Sequence, residues 1–413
     1  MAITKGSILC GLWIVSSAVS QDKPVKISFD ALAEFSEKHS RIIQNIKEEF
    51  ALTKTEKEID LQWTNPTFNY SQEFVNEELD QYYTLNKQIE FPWVMSQRRK
   101  SWQSHLESAH YKMDALSRQF MYEVKYGYCK IKLLENQRQH LEILKEAIVN
   151  FSDVAESQFH EGNLSGIEQN LIQMSLLQIT VNQQAIERKL QSVRNQWKIN
   201  MGIDESSTIQ LTSTIIFQPI EMASSEFYFS VLATTPGYLQ REEKKNALEQ
   251  RIKLEQKRLI PHFSVFGGSK HMGGNQGYIA GLSIPIPILN RNKANINREK
   301  TKHQIAVNKL GQVEDELRSN MKTVLFTIQN LEDLLKNMSE KMNNESTAVA
   351  GLISAYEEGW MSLTEMLNAI QIQRDGKQQY YEQLNLYYKN IFQLEEITGE
   401  SLVTFLSQGE NKL

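Results

Sequence analysis

Side chains able to do chemistry are present, but their spacing assembles no reaction centre. The eight histidines are dispersed. His160, His262 and His271 lie near segment ends, yet no spacing among them suits a metal, whose ligands must converge from fixed intervals. Gly267-Gly268 and Gly273-Gly274 lack a following Lys-Ser/Thr, so they read as a flexible hairpin loop rather than a phosphate cradle. Cys129 sits in a helical stretch with no His/Asp pattern around it, so it reads as a structural or incidental thiol rather than a nucleophile. With no paired acid and base either, the reading is that the protein is not an enzyme and holds no cofactor or metal. The pattern that does recur is centred on glycine: Phe159-His160-Glu161-Gly162-Asn163-Leu164-Ser165 and Tyr356-Glu357-Glu358-Gly359-Trp360-Met361-Ser362. A reversal between two long antiparallel helices needs a residue that tolerates positive φ, and Gly162 and Gly359 supply it.

These two glycines belong to a larger duplication. Asn65-Pro66-Thr67-Phe68 matches Ile260-Pro261-His262-Phe263, and Ile89-Glu90-Phe91-Pro92 matches Ile284-Pro285-Ile286-Pro287, both at an offset of 195. The glycine motifs, and Met201-Gly202 with Thr398-Gly399, match at 197. Four matches in one order make two units, expected over residues 21–225 and 226–413.

Each unit has the same succession of elements. A helix comes first, expected over Ser28–Leu61 and Gly237–Leu259, and a strand hairpin follows, over 67–91 and 262–286. Tyr278, Ala280, Leu282, Ile284 and Ile286 alternate with Ile279, Gly281 and Ser283, the period of a tilted membrane strand with one face to lipid and one to a lumen. Taken alone, two soluble hairpins packed on a helix fit that alternation equally well. The period then changes. Trp102, Leu106, Ala109, Met113, Leu116 and Phe120 advance by three or four, as do Leu310, Val313, Leu317, Met321, Val324, Ile328, Leu331 and Leu335, which is a coiled-coil seam. Long helical hairpins are expected over 99–199 and 293–397. All eight prolines fall outside Trp93–Gln218 and Ile288–Leu413, so nothing interrupts these helices. A helix from Arg99 to Ser157 extends about 90 Å. Tyr380, Tyr381, Tyr387 and Tyr388 are expected to pack.

The net charge of −5, from 45 basic and 50 acidic residues, leaves no polybasic footprint and argues against nucleic acid as a partner. Residues 1–20 read as a cleaved signal peptide, with Lys5, an apolar run from Ile8 to Val15, and Ala18 and Ser20 before Gln21-Asp22. Cys10 lies inside that run, so lipidation there is not expected. No other segment has enough continuous apolar residues for a spanning helix, so entry into a membrane would have to be by strands.

Membrane-length hairpins followed by long helical hairpins, twice over behind a signal peptide, resemble the TolC family of outer-membrane efflux channels. Leu282-Ser283-Ile284-Pro285-Ile286-Pro287-Ile288-Leu289-Asn290-Arg291-Asn292 resembles the strand-to-helix junction of the subgroup serving cation and copper efflux, and Ile89-Glu90-Phe91-Pro92 is its first-unit counterpart. Tyr356-x-x-Gly359-x-x-Ser362-x-x-Glu365-x-Leu367-x-Ala369 resembles the periplasmic helix-tip motif, with Phe159-x-x-Gly162-x-x-Ser165-x-x-Glu168 as its copy.

The resemblance implies a mainly α chain with a small β portion. Long antiparallel helices would form a periplasmic α-barrel, and four strands per protomer would close, in a homotrimer, a twelve-stranded transmembrane β-barrel in outer-membrane lipid. Asp204–Ser230 and Ser401–Leu413 would form a belt around the cylinder. Gly162, Ser165, Gly359 and Ser362 are the expected docking tips for a periplasmic adaptor, which in turn meets an inner-membrane pump of the resistance-nodulation (RND) or ABC type. Glu168, Tyr356, Glu365 and Asn368 occupy the family's gate positions. Asn368 stands where an acid is expected and Met361 where an arginine is, so a charged lock is weakened, while rings of Glu365 would favour cations. Metal cations are the leading cargo, then small toxic compounds. The alternatives are a type I protein-secretion channel and a periplasmic coiled-coil scaffold without a pore.

Overall fold

The computed structural model describes residues 24–75, 78–162, 164–259, 262–341 and 345–405, so the expected signal peptide lies outside the described residues. The first unit runs β1 (Val25–Ile27), α1 (Leu32–His39), α2 (Arg41–Leu61), β2 (Thr67–Val75), β3 (Glu78–Glu90), α3 (Pro92–His160) and α4 (Gly166–Met201). After β4 (Ile209–Leu211), which falls within residues 21–225, the second runs α5 (Ser225–Val231), α6 (Pro236–Lys257), β5 (His262–Met272), β6 (Asn275–Ser283), α7 (Lys293–Lys341), α8 (Glu345–Glu357) and α9 (Leu363–Thr398). The chain is mainly α with a small β portion, as the resemblance implies.

Several boundaries differ from expectation, each for a local physical reason. The first helix starts at Leu32, not Ser28, because Val25–Ile27 pairs in parallel with Ile209–Leu211. The long helix of the first unit starts at Pro92 rather than at residue 99, since proline's fixed φ and missing N–H suit a first helical turn. The fourth strand stops at Ser283 instead of reaching 286, where Pro285 and Pro287 have no N–H to donate to a ladder.

The 69 residues of α3 make a rod about 100 Å long. Its middle is locked to α4 by Trp197, whose buried indole donates to the Val124 carbonyl at 2.9 Å. Gly127 lies beneath that indole, where a Cβ would come within 2.5 Å of it. The second-unit seam is buried at Met321, Val324, Ile328, Leu331 and Leu335. It joins Tyr387 and Tyr388, with Tyr380 and Tyr381 packed against the same core. Tyr387 Oη donates to the Gln218 carbonyl at 3.1 Å, and Tyr388 Oη donates to that of Ile216. The irregular stretch after β4 is thereby fastened across α9. A second apolar cluster lies toward the helix tips and includes Leu144, Ile148, Phe151, Leu363, Met366 and Ile370.

Candidate functional site

Four strands form one antiparallel sheet in the order β2-β3-β5-β6, so β3 and β5 join the two units edge to edge. The register sorts every side chain. Phe68 faces Leu85, Tyr70 faces Tyr83 and Phe74 faces Leu79; Leu85 faces Gly267, which faces Ala280; Val265 faces Leu282, and Ser269 faces Tyr278. One face therefore carries Phe68, Tyr70, Phe74, Leu85, Val265, Tyr278 and Leu282, all exposed. The opposite face carries Asn69, Ser71, Glu73, Asp80, Thr84, Asn86 and Ser264 together with Tyr82, Phe266 and Ile279, and is the more polar of the two. The outer strands β2 and β6 have no further partner within the chain among the described residues. An apolar face opposite a polar one, with two unpaired edges, is a segment of a barrel rather than a finished sheet.

At the far ends of the helices the two tips share one geometry. Gly162 and Gly359 both adopt φ 78°. Gly162 N–H donates to the Phe159 carbonyl at 3.0 Å, and Gly359 N–H to that of Tyr356 at 2.9 Å. A Cβ at either position would meet nothing within 4 Å, so glycine is required by backbone conformation and not by space.

Ser165 and Ser362 then start α4 and α9 with matching capping boxes. Ser362 Oγ accepts from Glu365 N–H at 3.3 Å, while Glu365 Oε2 accepts from the Ser362 N–H at 2.8 Å and its hydroxyl at 2.9 Å. Ser165 and Glu168 repeat this at 3.3, 2.9 and 2.7 Å. These donors hold both carboxyls below the usual carboxylate range. The two acids thus finish helix N-termini, at the positions that the resemblance assigns to a gate. The spacing Ser-x-x-Glu is itself a signature of such a box, and it is legible in both motifs.

Tyr356 is half-buried with its ring edge-on to Phe151, centroids 5.2 Å apart. Burial raises its phenol pKa, and the Glu168 carboxylate pushes the same way, which places Tyr356 of the second hairpin near the first. Asn368 and Glu365 are exposed, and among the described residues no hydrogen bond or ion pair joins either of them to Glu168 or Tyr356. Trp360, beside Gly359, is 80% exposed, a feature the motif spacing does not single out.

Residues 231–400 match the model of the outer membrane efflux protein family. That stretch, which lies within the second unit, resembles the family. A nickel and cobalt resistance protein, CnrC of Cupriavidus metallidurans, is 33% identical over 70 residues, which span 16% of this chain and 17% of that protein. Among solved structures, the Campylobacter jejuni CmeC outer membrane channel superposes with a TM-score of 0.77 at 14% identity, covering 100% of this chain and 96% of its own. CusC, described in terms of transmembrane channel formation, gives 0.75 at 14%, covering 92% and 95%. At these identities the structural matches show the fold: the outer membrane efflux architecture of helical barrel and β-barrel. The match to that family model goes with an outer-membrane protein whose helices extend into the periplasm.

Proposed function

We propose that this protein is the outer-membrane channel of a tripartite efflux system, conducting solutes passively and catalysing nothing. The observation that carries the reading is the four-stranded sheet, apolar on one face and polar on the other, with open edges and continuing directly into α3. Exposed strand edges are not tolerated in hydrocarbon, and three copies would remove them by closing a twelve-stranded barrel. The helix tips at Gly162, Ser165, Gly359 and Ser362 then face the periplasm, where an adaptor links the channel to an inner-membrane pump. Glu168, Tyr356, Glu365 and Asn368 line the entrance. Metal cations are the proposed cargo, supported by the relative named for nickel and cobalt resistance and by the carboxylates at the entrance.

Planar bilayers test the pore. Detergent-purified protein should insert as discrete conducting trimers that favour cations, and a soluble dimer recovered from the periplasm would rule the channel out. A strain lacking the gene should become sensitive to divalent metals; unchanged tolerance, with lost tolerance to dyes or lost secretion of a protein, would reassign the cargo.

A further inference from the structure

Halfway along α3, away from the sheet and the tips, lies a groove whose charges are not balanced. The helix packs against both α4 and α9, which hardly meet each other, so a trough is left between them over α3. Its volume is about 670 Å3, a size that suits a small organic ligand. Leu134 of α3, Ile186 of α4 and Tyr381 of α9 give it an apolar floor. Lys130, Arg188 and Lys189 line it as well, against one lining acid, Glu382.

Cations just outside the groove are matched. Lys132 pairs with Glu135 at 3.1 Å, Arg194 with Glu135 at 2.6 Å and Arg138 with Glu187 at 3.3 Å. Among the described residues Lys130, Arg188 and Lys189 have no ion pair, and the Lys130 ammonium stands 5.7 Å from the centre of the Tyr126 ring. Glu382 already accepts from the Gln378 amide at 3.0 Å. Helix geometry decides which way the groove faces. Tyr128 Oη accepts from the Ser213 N–H at 2.9 Å and Lys132 Nζ donates to the Leu211 carbonyl at 3.4 Å, so that face of α3 is covered by the segment after α4. At 3.6 residues per turn Lys130, Leu134 and Gln137 fall on the other side of the rod. Where the segment after α4 forms an outer belt, the groove faces the lumen.

An apolar floor rimmed by unmatched cations selects among ligands by chemistry. It repels a metal cation, and a small inorganic anion gains the charge contacts but leaves the floor wet. An aryl or alkyl body carrying a sulfonate or carboxylate satisfies both parts. Resting on the channel reading above, we propose that the groove over α3 is a binding site for amphiphilic organic anions, with the apolar body on Leu134, Ile186 and Tyr381 and the anionic group at Lys130, Arg188 and Lys189. Three copies place three such sites around the lumen, and a bound anion offsets positive charge that otherwise opposes cations passing the same level.

The test uses purified full-length protein in lipid nanodiscs and para-(trifluoromethyl)benzenesulfonate, whose fluorine resonance broadens when it binds. In about 50 mM salt the sulfonate should bind, unlabelled benzenesulfonate should displace it, and neither sulfate nor neutral benzyl alcohol should do so at equal concentration. Lys130→Gln combined with Lys189→Gln should weaken binding about tenfold, and raising the salt to about 300 mM should weaken it several-fold. Arg138→Gln, which removes a paired cation outside the groove, should change nothing. Equal broadening by the double variant, or displacement by sulfate as effective as by benzenesulfonate, would overturn the proposal. Should the double variant fail to assemble, Lys189→Glu at its exposed position must weaken binding by itself, and unchanged binding there would overturn it equally. In planar bilayers the sulfonate should make wild-type pores more cation-selective and leave the double variant unaffected; binding with no shift in reversal potential would overturn the placement in the lumen. Pores that form without broadening the resonance remove the site alone, whereas broadening by a protein that forms no pores removes the channel reading and keeps the site.

Discussion

Glu395 of α9 and Lys125 of α3 meet at 2.6 Å in a largely buried ion pair, and the second oxygen of the same carboxylate receives the N–H groups of Leu402 and Val403 at 2.7 and 3.2 Å. One side chain therefore ties two long helices together and fastens the segment after α9. Phe405, four residues beyond Ser401, packs edge-on to Phe29 and Tyr388. Replacing Glu395 with Ala leaves Lys125 buried without its partner and two N–H groups without an acceptor. The expected cost is about 3 kcal/mol, read as a lower midpoint in thermal or denaturant unfolding, with the C-terminal segment newly open to protease. A cleavage pattern identical to wild type would contradict the latch.

The glycines of the two tips and of the two helix ends differ in what a side chain would meet. At Gly359 the loss is confined to backbone strain at positive φ, about 1–2 kcal/mol, and Gly359→Val should leave trimers in the membrane while abolishing export. At Gly202, φ 70°, a Cβ would also collide with the His39 backbone carbonyl. Gly202→Ala should therefore reduce folded protein in the membrane far more than Gly359→Ala does. Comparable yields of the two alanine variants would refute this difference.

Glu365 supplies a test that separates capping from conduction. Its carboxyl sits below the usual carboxylate range because the Ser362 N–H and hydroxyl bond the charged form. A depressed folded pKa contributes stability that is present above the unfolded value and is lost as pH falls through the folded one. The cap should thus stay intact from neutral pH down to the ordinary glutamate range and weaken only below it. Glu365→Gln should lower cation selectivity in planar bilayers, and Ser362→Ala should weaken the α9 N-terminus by about 1 kcal/mol without removing the charge. Unchanged reversal potentials in Glu365→Gln would remove it from the entrance.

His140 carries a pH dependence of its own. Burial, aided by the nearby Lys377 cation, pushes its imidazole down to about 4. The folded state resists a proton that the unfolded chain accepts below its ordinary value near 6.5, so stability should decline as pH falls from about 6.5 to about 4. His140→Gln should flatten that part of the stability profile, and an identical profile in the variant would exclude the residue as its source.

The two faces of the sheet predict opposite tolerance to charge. Leu85→Arg introduces a cation on the apolar face and should cost about 2–4 kcal/mol if the residue lies near the bilayer midplane. Thr84→Arg, one residue away on the polar face, should insert normally and shift conductance instead. Equal trimer yields from the two variants would invalidate the assignment of faces.

Much of the architecture is written in local sequence. The absence of proline from Trp93 to Gln218 and the seam from Trp102 to Phe120 are enough for a helix of unusual length, because helix formation depends on hydrogen bonds between near neighbours. Period-two alternation from Tyr278 to Leu282 likewise marks a two-faced strand, and the register then extends that sorting across all four strands. The glycine turns were legible for the same reason: Gly162 and Gly359 each act through the few residues on either side.

What the tertiary structure alone decided depends on residues far apart in the chain. Val25–Ile27 is a strand only because Ile209–Leu211 lies beside it, and no local period announces that pairing. The joining of the units through β3 and β5, the latch from Glu395 to Val403 and the fastening of residues 216–218 by Tyr387 and Tyr388 are long-range in the same sense. The carboxylates at the tips stand between the two cases. Their spacing from Ser165 and Ser362 is local and spells out a capping box, whereas their exposure, and that of Trp360, follows only from where the packed hairpins end. Periodicity specifies which residues share a face; packing across the chain specifies what that face meets.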